Sequence, residues 1–173
     1  MKILLAFGTV EGHTRKVAST VKTRLEQTGN SVRSLDTSQH VPDLALASYD
    51  ACIVAAPVHQ QRHPDEVINF AKAHAAVLNG MRTALISVSL SAAFDGGQDE
   101  ARGYTDRLTS RTEWNPGAIH LAAGALKLGE YDFFQEQIIR HVVLKDRAPQ
   151  QLDHDHEFTD WDALGRFIDE FVE

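Results

Sequence analysis

The chain has 173 residues, of which 43% are hydrophobic and 24% charged, and its formal net charge is −7. This length supports one sizeable core, so we expect a single domain over residues 1–173. The acidic balance argues against a general nucleic-acid-binding protein and against a surface held on anionic lipid by charge alone. No apolar run is long enough to cross a bilayer, and the first residues read as a core strand rather than a signal peptide, so the cytosol is the expected compartment.

The N-terminal segment predicts a strand, a loop and a helix in succession. Lys2–Phe7 is an apolar run typical of a strand that is buried on both faces, and Arg15–Glu26 carries apolar residues on one helical face. The loop between them consists of Gly8, Thr9, Val10, Glu11, Gly12, His13 and Thr14. Backbone N–H groups in such a loop and at the start of the helix converge on one point, which favours an anion site.

The residue types of this loop restrict the anion. The loop has neither the glycine pattern of dinucleotide-binding proteins nor the lysine of a Walker loop, so it suits a single phosphate monoester held by hydrogen bonds. Thr9 and Thr14 either donate to that phosphate or only cap free N–H groups of the helix. His13 either adds a donor when it is protonated or is an ordinary surface histidine.

The rest of the chain alternates apolar runs with helical patterns. Four more strands are predicted over Ser31–Leu35, Ala51–Ala56, Arg82–Leu90 and Ala118–Ala123. Helices are predicted over Pro64–Leu78, Gln98–Arg111 and Asp162–Val172. Five strands separated by helices indicate an α/β fold, a three-layer sandwich around a parallel sheet.

One predicted element is additional to that scheme. Within residues 127–158, the spacing of apolar residues predicts an amphipathic helix at Leu128–Val143, before the C-terminal helix. The polar stretch Ala148–Glu157 predicts a loop. It includes two histidines among carboxylates, but a polar segment without an apolar shell is more typical of a solvated loop than of a metal site, so we expect no metal. The single cysteine, Cys52, excludes internal disulfides and lies in an apolar run, which predicts a buried, unreactive thiol.

An open parallel sheet binds its ligand beyond the carboxyl ends of the strands, where the strand order reverses. If this sheet has 2-1-3-4-5, one of the common strand orders of such folds, three loops meet at that place, and the first is the loop that would hold the phosphate. The other two would flank a flat ring, and they contribute Pro57, Val58, His59, Gln60 and Gln61, and Ser89, Leu90, Ser91, Ala92 and Phe94. Small residues in the last loop allow the backbone to approach a ligand, and Phe94 either stacks on the ring or packs internally.

These features resemble the flavodoxin-type FMN proteins, and more closely the bacterial menaquinone-dependent protoporphyrinogen oxidase family. The resemblance covers nearly the whole chain and is carried by Lys2–Arg15, Phe70–Asn79, Ser87–Leu90, Trp114, Pro116, Ala123–Leu126, Tyr131 and Thr159–Trp161. It implies a flavodoxin-like fold, non-covalent FMN and an inserted helix at Leu128–Val143. It also implies an oxidoreductase that removes hydrogens from protoporphyrinogen IX, late in haem synthesis, and passes the electrons through FMN to a quinone or another acceptor.

Two features depart from the family pattern. Gln60 and Gln61 stand where family members commonly have an aromatic residue and a glycine. Acidic residues replace the basic ones of members that work at a membrane, at Asp95, Asp99, Glu100, Glu130, Asp132 and Glu136. The sequence therefore leaves three functions open: the oxidase, with at most a peripheral contact at the inner membrane face; an electron-transfer flavodoxin with a basic redox protein as its partner; and a flavodoxin-fold binding or regulatory protein that has lost FMN.

The sequence assigns no catalytic residue. A flavin carries its own redox chemistry, so no protein nucleophile is required. His59 and His63 are the nearest candidates for a general base, although each is also typical of an ordinary loop histidine.

Overall fold

The structure of the chain, a computed structural model, describes residues 1–10, 12–39, 44–126 and 155–173. Five strands form one parallel sheet in the order β2-β1-β3-β4-β5. They are β1 (Lys2–Phe7), β2 (Ser31–Asp36), β3 (Ala51–Pro57), β4 (Arg82–Ser89) and β5 (Ala118–Ala123). The helices are α1 (His13–Gln27), α2 (Asp65–Leu78), α3 (Gln98–Thr112) and α4 (Trp161–Val172). The predicted fold class and strand order are confirmed.

The sheet separates two apolar cores. Successive residues of a strand face opposite sides, so β1 sends Ile3 and Leu5 to one side and Leu4 and Ala6 to the other. The first side is covered by the apolar faces of α1 and α4, and the second by those of α2 and α3. Burial on both faces explains why the central strands are continuous apolar runs in the sequence.

Cys52 is buried as the sequence predicts, and the two tryptophans lie in the core or beside it. Cys52 has no exposed surface, and burial raises the pKa of its thiol to about 12, so the thiol is protonated and unreactive at neutral pH. Trp114 is fully buried, and its indole N–H donates to Thr83 Oγ1 over 3.4 Å. Trp161 is half-buried and packs at the edge of the core under α1 and α4.

The structure also contains a short antiparallel pair that the sequence analysis missed. β6 (Ala125–Leu126) pairs with β7 (His156–Glu157), and Ala125 lies opposite Glu157. The prediction of a loop over Ala148–Glu157 is therefore wrong for its last two residues. Two residues are too few to show the alternation that identifies a strand. The pair brings together the chain on either side of residues 127–154; the helix predicted at Leu128–Val143 lies outside the described residues.

The helix boundaries differ slightly from their predicted positions. α1 begins at His13 rather than Arg15, because Gly12 adopts a left-handed conformation with φ of 84° and turns the chain into the helix. α4 begins one residue early, at Trp161, where the Asp160 carboxylate accepts a hydrogen bond from the Ala163 N–H at 2.8 Å. In the described part of the chain, none of the helices combines the length and the apolar character needed to cross a bilayer.

Candidate functional site

The N-terminal turn comprises residues 8–14, of which Glu11 lies outside the described residues. Gly8 extends the β1–β3 pairing by donating to the Ala55 carbonyl over 3.1 Å, and a Cβ at this position would collide with the Val67 side chain. Gly12 donates its N–H to Thr9 Oγ1 over 3.0 Å. Thr9 therefore accepts a local hydrogen bond, as one of its two interpretations required. The bond uses only a lone pair, which leaves the hydroxyl proton available to a ligand.

The start of α1 suits an anion. Gly12 is the residue that precedes the helix, and it has no side chain with which to accept hydrogen bonds from the N–H groups of the first turn. Thr14 lies in that turn with 2% of its surface exposed. The N-terminus of the helix carries a partial positive charge, so a phosphate is a suitable acceptor here.

The His13 side chain lies on the side of the turn that contacts α4. Its Nε2 is 2.8 Å from Thr159 Oγ1, and the Thr159 hydroxyl donates to the Ala123 carbonyl over 2.7 Å. Because that hydroxyl has a single proton, His13 Nε2 must be the donor in the first bond. His13 Nδ1 lies 3.7 Å from the Glu157 carboxylate, which also pairs with Lys16. A contribution of His13 to a phosphate site would thus come from its backbone N–H.

The loop after β3 contains a tight turn, which we call the hairpin turn (His59–Arg62). His59 and Arg62 exchange two backbone hydrogen bonds, of 2.9 and 3.2 Å. Gln60 and Gln61 both have positive φ, 49° and 62°. This combination is characteristic of a type I′ turn, which normally has asparagine or glycine at its central positions. The two glutamines noted in the sequence therefore occupy a strained backbone conformation.

His63 fastens the base of the hairpin turn. It is 3% exposed, and its Nδ1–H donates to the Pro57 carbonyl over 2.9 Å. Its Nε2 is then the acceptor for the Ser87 hydroxyl, 3.4 Å away. Burial, and to a lesser degree the charge of Arg107, lowers the pKa of His63 to about 4. The ring is enclosed and both of its nitrogens have hydrogen-bond partners, so His63 has a structural role in this loop, and a role as general base stays a prediction.

The small-residue loop (Ser89–Gly97) follows β4 and is closed by its own backbone. Ala92 donates its N–H to Ser89 Oγ over 3.2 Å, and Gly97 donates to the Phe94 carbonyl over 2.9 Å. A Cβ on Gly97 would overlap the Ser91 carbonyl, so this position requires glycine. The Phe94 ring packs edge-on against Phe158, with the centroids 5.7 Å apart. Internal packing of Phe94 is thus present, and stacking on a ligand stays a prediction.

The register of the sheet brings the three loops to one edge. β1 and β3 align Phe7 with Ala55, and β3 and β4 align Pro57 with Val88. The Val58 N–H donates to the Val88 carbonyl over 2.8 Å, which ties the second loop to the strand before the third. The predicted site residues of all three loops therefore lie together at the carboxyl ends of adjacent strands. They are residues 9–14 without Glu11, residues 57–61, residues 89–92 and Phe94. Their roles in binding stay predictions.

Among the described residues, no group of three or more histidine, cysteine, aspartate or glutamate side chains is arranged to hold a metal ion. Asp153 and His154 of the polar stretch lie outside those residues. Glu157, at its end, accepts hydrogen bonds from Lys16 over 2.6 Å and from Trp161 over 2.9 Å. These contacts, the Lys16 bond first, lower the pKa of the Glu157 carboxyl.

Residues 4–153 match the family model described as a flavodoxin domain. The chain belongs to this flavodoxin-domain family. It is similar to two proteins named protoporphyrinogen IX dehydrogenase (quinone). The one from Leishmania major is 25% identical over 99% of this chain and 74% of the relative, and the one from Escherichia coli K12 is 24% identical over 99% of this chain and 95% of the relative.

Solved flavodoxin structures share the fold. Oxidised flavodoxin 1 from Bacillus cereus matches with a TM-score of 0.60 and 16% identity, over 99% of this chain and 97% of that one. A Fusobacterium nucleatum flavodoxin bound to flavin mononucleotide matches with a TM-score of 0.53 and 10% identity, over 99% of this chain and 94% of that one. The flavodoxin-like architecture expected from the sequence is thereby confirmed.

The contacts that hold the loops from outside are not apparent in the sequence. Thr159 and Glu157 come from the C-terminal part of the chain and contact the His13 side chain of the N-terminal turn. No local sequence pattern predicts these contacts. Arg107 on α3 donates to the Gln61 carbonyl over 3.1 Å. A signal in the sequence was the position of α3 directly after the small-residue loop, which would have directed attention to the side chains of its first three turns.

Proposed function

We propose that this chain is an FMN-dependent oxidoreductase that dehydrogenates a porphyrinogen of the protoporphyrinogen IX type and delivers the electrons to a quinone. The observation that carries the proposal is the sequence similarity to the E. coli dehydrogenase, 24% identical over 99% of this chain and 95% of that one. That alignment runs through residues 127–154, the position of the insertion that the resemblance associates with oxidases. The B. cereus flavodoxin also matches over 99% of this chain, but at 16% identity, so the sequence similarity and not the coverage favours the dehydrogenase.

The N-terminal turn is the proposed phosphate site. The backbone N–H groups at the start of α1 and the hydroxyl proton of Thr9 would donate to the phosphate, and Thr14 would line the same turn. Gly12 suits this role for two reasons. Without a Cβ it can adopt a φ of 84°, and without a side chain it leaves the N–H groups of the first turn of α1 uncapped. Donation by neutral groups suits a phosphate monoester such as the end of FMN.

The hairpin turn and the small-residue loop are the proposed walls of the ring site. The ring of FMN, when bound, supplies the hydride-accepting and electron-passing chemistry. This chain would contribute backbone groups from Val58, His59, Gln60 and Gln61 on one side and from Ser89, Leu90, Ser91, Ala92 and Phe94 on the other. Of the two histidines that the sequence offers as candidates for a general base, His63 is enclosed, so His59, which is half-buried in the turn, is the one better placed to meet a substrate.

A quinone acceptor resides in a membrane, so with this function the chain would work from the cytosol and meet its acceptor through a peripheral contact at the inner membrane face. The second candidate is an electron-transfer flavodoxin. The net charge of −7 favours it, because an acidic surface can dock a basic redox partner.

Two measurements separate these functions. First, the absorbance spectrum of the isolated protein, before and after addition of FMN, reports flavin uptake. Second, protoporphyrinogen IX and a soluble quinone are mixed with the FMN-loaded chain under anaerobic conditions, with the flavin-free chain as a control. The proposal predicts protoporphyrin IX and quinol, formed only when FMN is present. Flavin uptake without product would favour the electron carrier, and a chain that takes up no flavin would leave only a binding or regulatory role.

A further inference from the structure

The hairpin turn is held from α3. Gln60 and Gln61 have φ of 49° and 62°, and L side chains are disfavoured there at both positions. Such a conformation persists only where the surrounding structure determines it. The two hydrogen bonds between His59 and Arg62 close the turn, but they do not connect it to the rest of the protein. The Gln61 carbonyl provides such a connection, because it accepts a hydrogen bond from Arg107 Nη2 over 3.1 Å.

The Arg107 side chain is itself oriented by a neighbour on α3. Its guanidinium lies 5.0 Å from the centroid of the Tyr104 ring, in cation–π contact. Tyr104 is only 4% exposed and is therefore a fixed platform. Burial, as the main cause, raises the pKa of the Tyr104 phenol, so its hydroxyl stays protonated and can act as a donor.

Tyr104 also reaches the small-residue loop. Its hydroxyl lies 3.4 Å from Ser91 Oγ, and the Ser91 hydroxyl donates to the Glu100 carboxylate over 2.9 Å. Either hydroxyl can be the donor in the contact between Tyr104 and Ser91, because the Glu100 carboxylate is an acceptor within reach of both. Glu100, Tyr104 and Arg107 are spaced four and three residues apart, so they lie on one face of α3. This face contacts both loops, one at Gln61 and the other at Ser91.

We propose that Arg107 is a positioning residue that keeps the hairpin turn in its strained form and, with Tyr104 and Glu100, sets its distance from the small-residue loop. The inference rests on the proposed function, because the two loops are the proposed walls of the flavin ring site. It assigns to α3 a role that neither the fold nor the proposed phosphate site requires. If the gap between the two loops already has its final width, the loops lose less conformational entropy when a flat ring binds, and the affinity for the ring is higher.

The first test uses the flavin-free protein. Arg107→Met keeps the length of the side chain and removes its donors and charge. Arg102→Met is the matched control, since Arg102 lies on the same helix, the variant loses the same charge, and the ion pair that Arg102 makes within the described part of the chain is with exposed Asp99 at 3.1 Å. Hydrogen exchange of the peptide covering Val58–His63 should become about tenfold faster in R107M, as expected for the loss of a charged hydrogen bond, and stay unchanged in R102M. Equal exchange in the two variants would overturn the proposal.

The second test measures flavin binding. The dissociation constant for FMN should rise about tenfold in R107M and less than about twofold in R102M. Tyr104→Phe keeps the ring beneath Arg107 and removes the hydroxyl. This variant should lose less FMN affinity than R107M, and its amide hydrogen exchange should become faster at Ser91–Phe94 but not in the hairpin turn. The flavin midpoint potential should shift in R107M, which a merely global loss of stability would not produce.

A double-mutant cycle makes the mechanism specific. With glycine at both central positions, Gln60→Gly plus Gln61→Gly, the turn no longer needs an external contact to keep positive φ. Arg107→Met should then change FMN affinity by less than about twofold. An undiminished effect in the glycine background would contradict the proposed role in holding the turn. If the unmodified chain binds no FMN, the proposed function fails, and the exchange experiment alone still decides whether Arg107 holds the turn.

Discussion

The N-terminal turn and the hairpin turn both present backbone groups at the carboxyl edge of the sheet, yet they obtain their shapes in opposite ways. Gly12 reaches a φ of 84° without a steric penalty, because it has no Cβ. Gln60 and Gln61 reach φ of 49° and 62° against their own preferences, and Arg107 and His63 hold the loop around them. One turn is specified by its local sequence, and the other by its tertiary surroundings. The two should therefore respond differently to substitution and to pH.

The largest expected difference is in acid. The pKa of His63 is about 4 in the folded protein, against an ordinary value of 6.5, because burial disfavours the charged ring. The unfolded chain thus binds a proton at His63 that the folded chain does not, and the contribution of His63 to stability falls by about 3 kcal/mol as the pH drops from 6.5 to 4. Urea unfolding at a series of pH values measures this slope.

The variant His63→Asn keeps a donor for the Pro57 carbonyl and removes the titration. Its stability should be lower at neutral pH but should lose about 3 kcal/mol less than that of the unmodified chain between pH 6.5 and 4. His74→Asn serves as the control, because partial burial also lowers the pKa of His74, yet its ring is not enclosed. An identical pH slope in H63N and the unmodified chain would refute the account of His63.

Gly12→Ala tests the locally specified turn. An alanine at this φ should lower the free energy of unfolding by about 1–2 kcal/mol and, because the start of α1 shifts, weaken FMN binding more than about tenfold. Gly29→Ala is a matched control: its φ is 82°, with open space around the added Cβ, at the other end of α1. Calorimetry should give similar stability losses for both, whereas flavin titration should separate them. Equal FMN affinities would remove Gly12 from the site.

Thr14→Val examines the hydroxyl contribution to the same turn. The substitution conserves shape at a position that is 2% exposed. If the hydroxyl contacts the phosphate, FMN binding should weaken by about 1–3 kcal/mol, as measured by fluorescence titration. Unchanged affinity would mean that Thr14 only completes the helix start.

The smallest effect concerns the hairpin turn itself. Gln61→Gly removes the penalty for positive φ but adds freedom to the unfolded chain, so the net gain in stability should be about 0.5–1 kcal/mol. Glu113→Gly, at a φ of 58° beyond the end of α3, should gain a similar amount remote from the site. A loss of stability in Q61G alone would indicate that the glutamine side chain makes contacts on which the turn depends.

Features of this structure that depend on neighbouring residues could be predicted from the sequence, and features that depend on residues distant in the chain could not. The apolar runs of β1, β3 and β4 are local, so the strands were predictable from them. The strand order and the meeting of three loops followed from the common doubly wound order and from the resemblance to flavodoxin-type proteins. The positive φ of Gln60 and Gln61 was not, since glutamine carries no preference for it. Arg107 and His63 reach the hairpin turn and the end of β3 only through the packing of the folded chain. The face of α3 that carries Glu100, Tyr104 and Arg107 is polar, so apolar periodicity gives no sign of it.

The central claim is that the N-terminal turn holds the phosphate of a flavin mononucleotide, and the most direct measurement compares FMN with riboflavin, which has the same ring and no phosphate. Calorimetric titration of the flavin-free chain should show FMN binding about a hundredfold more tightly or better, as expected for several hydrogen bonds to a charged group. Equal affinities for the two flavins, or binding of neither, would contradict the account.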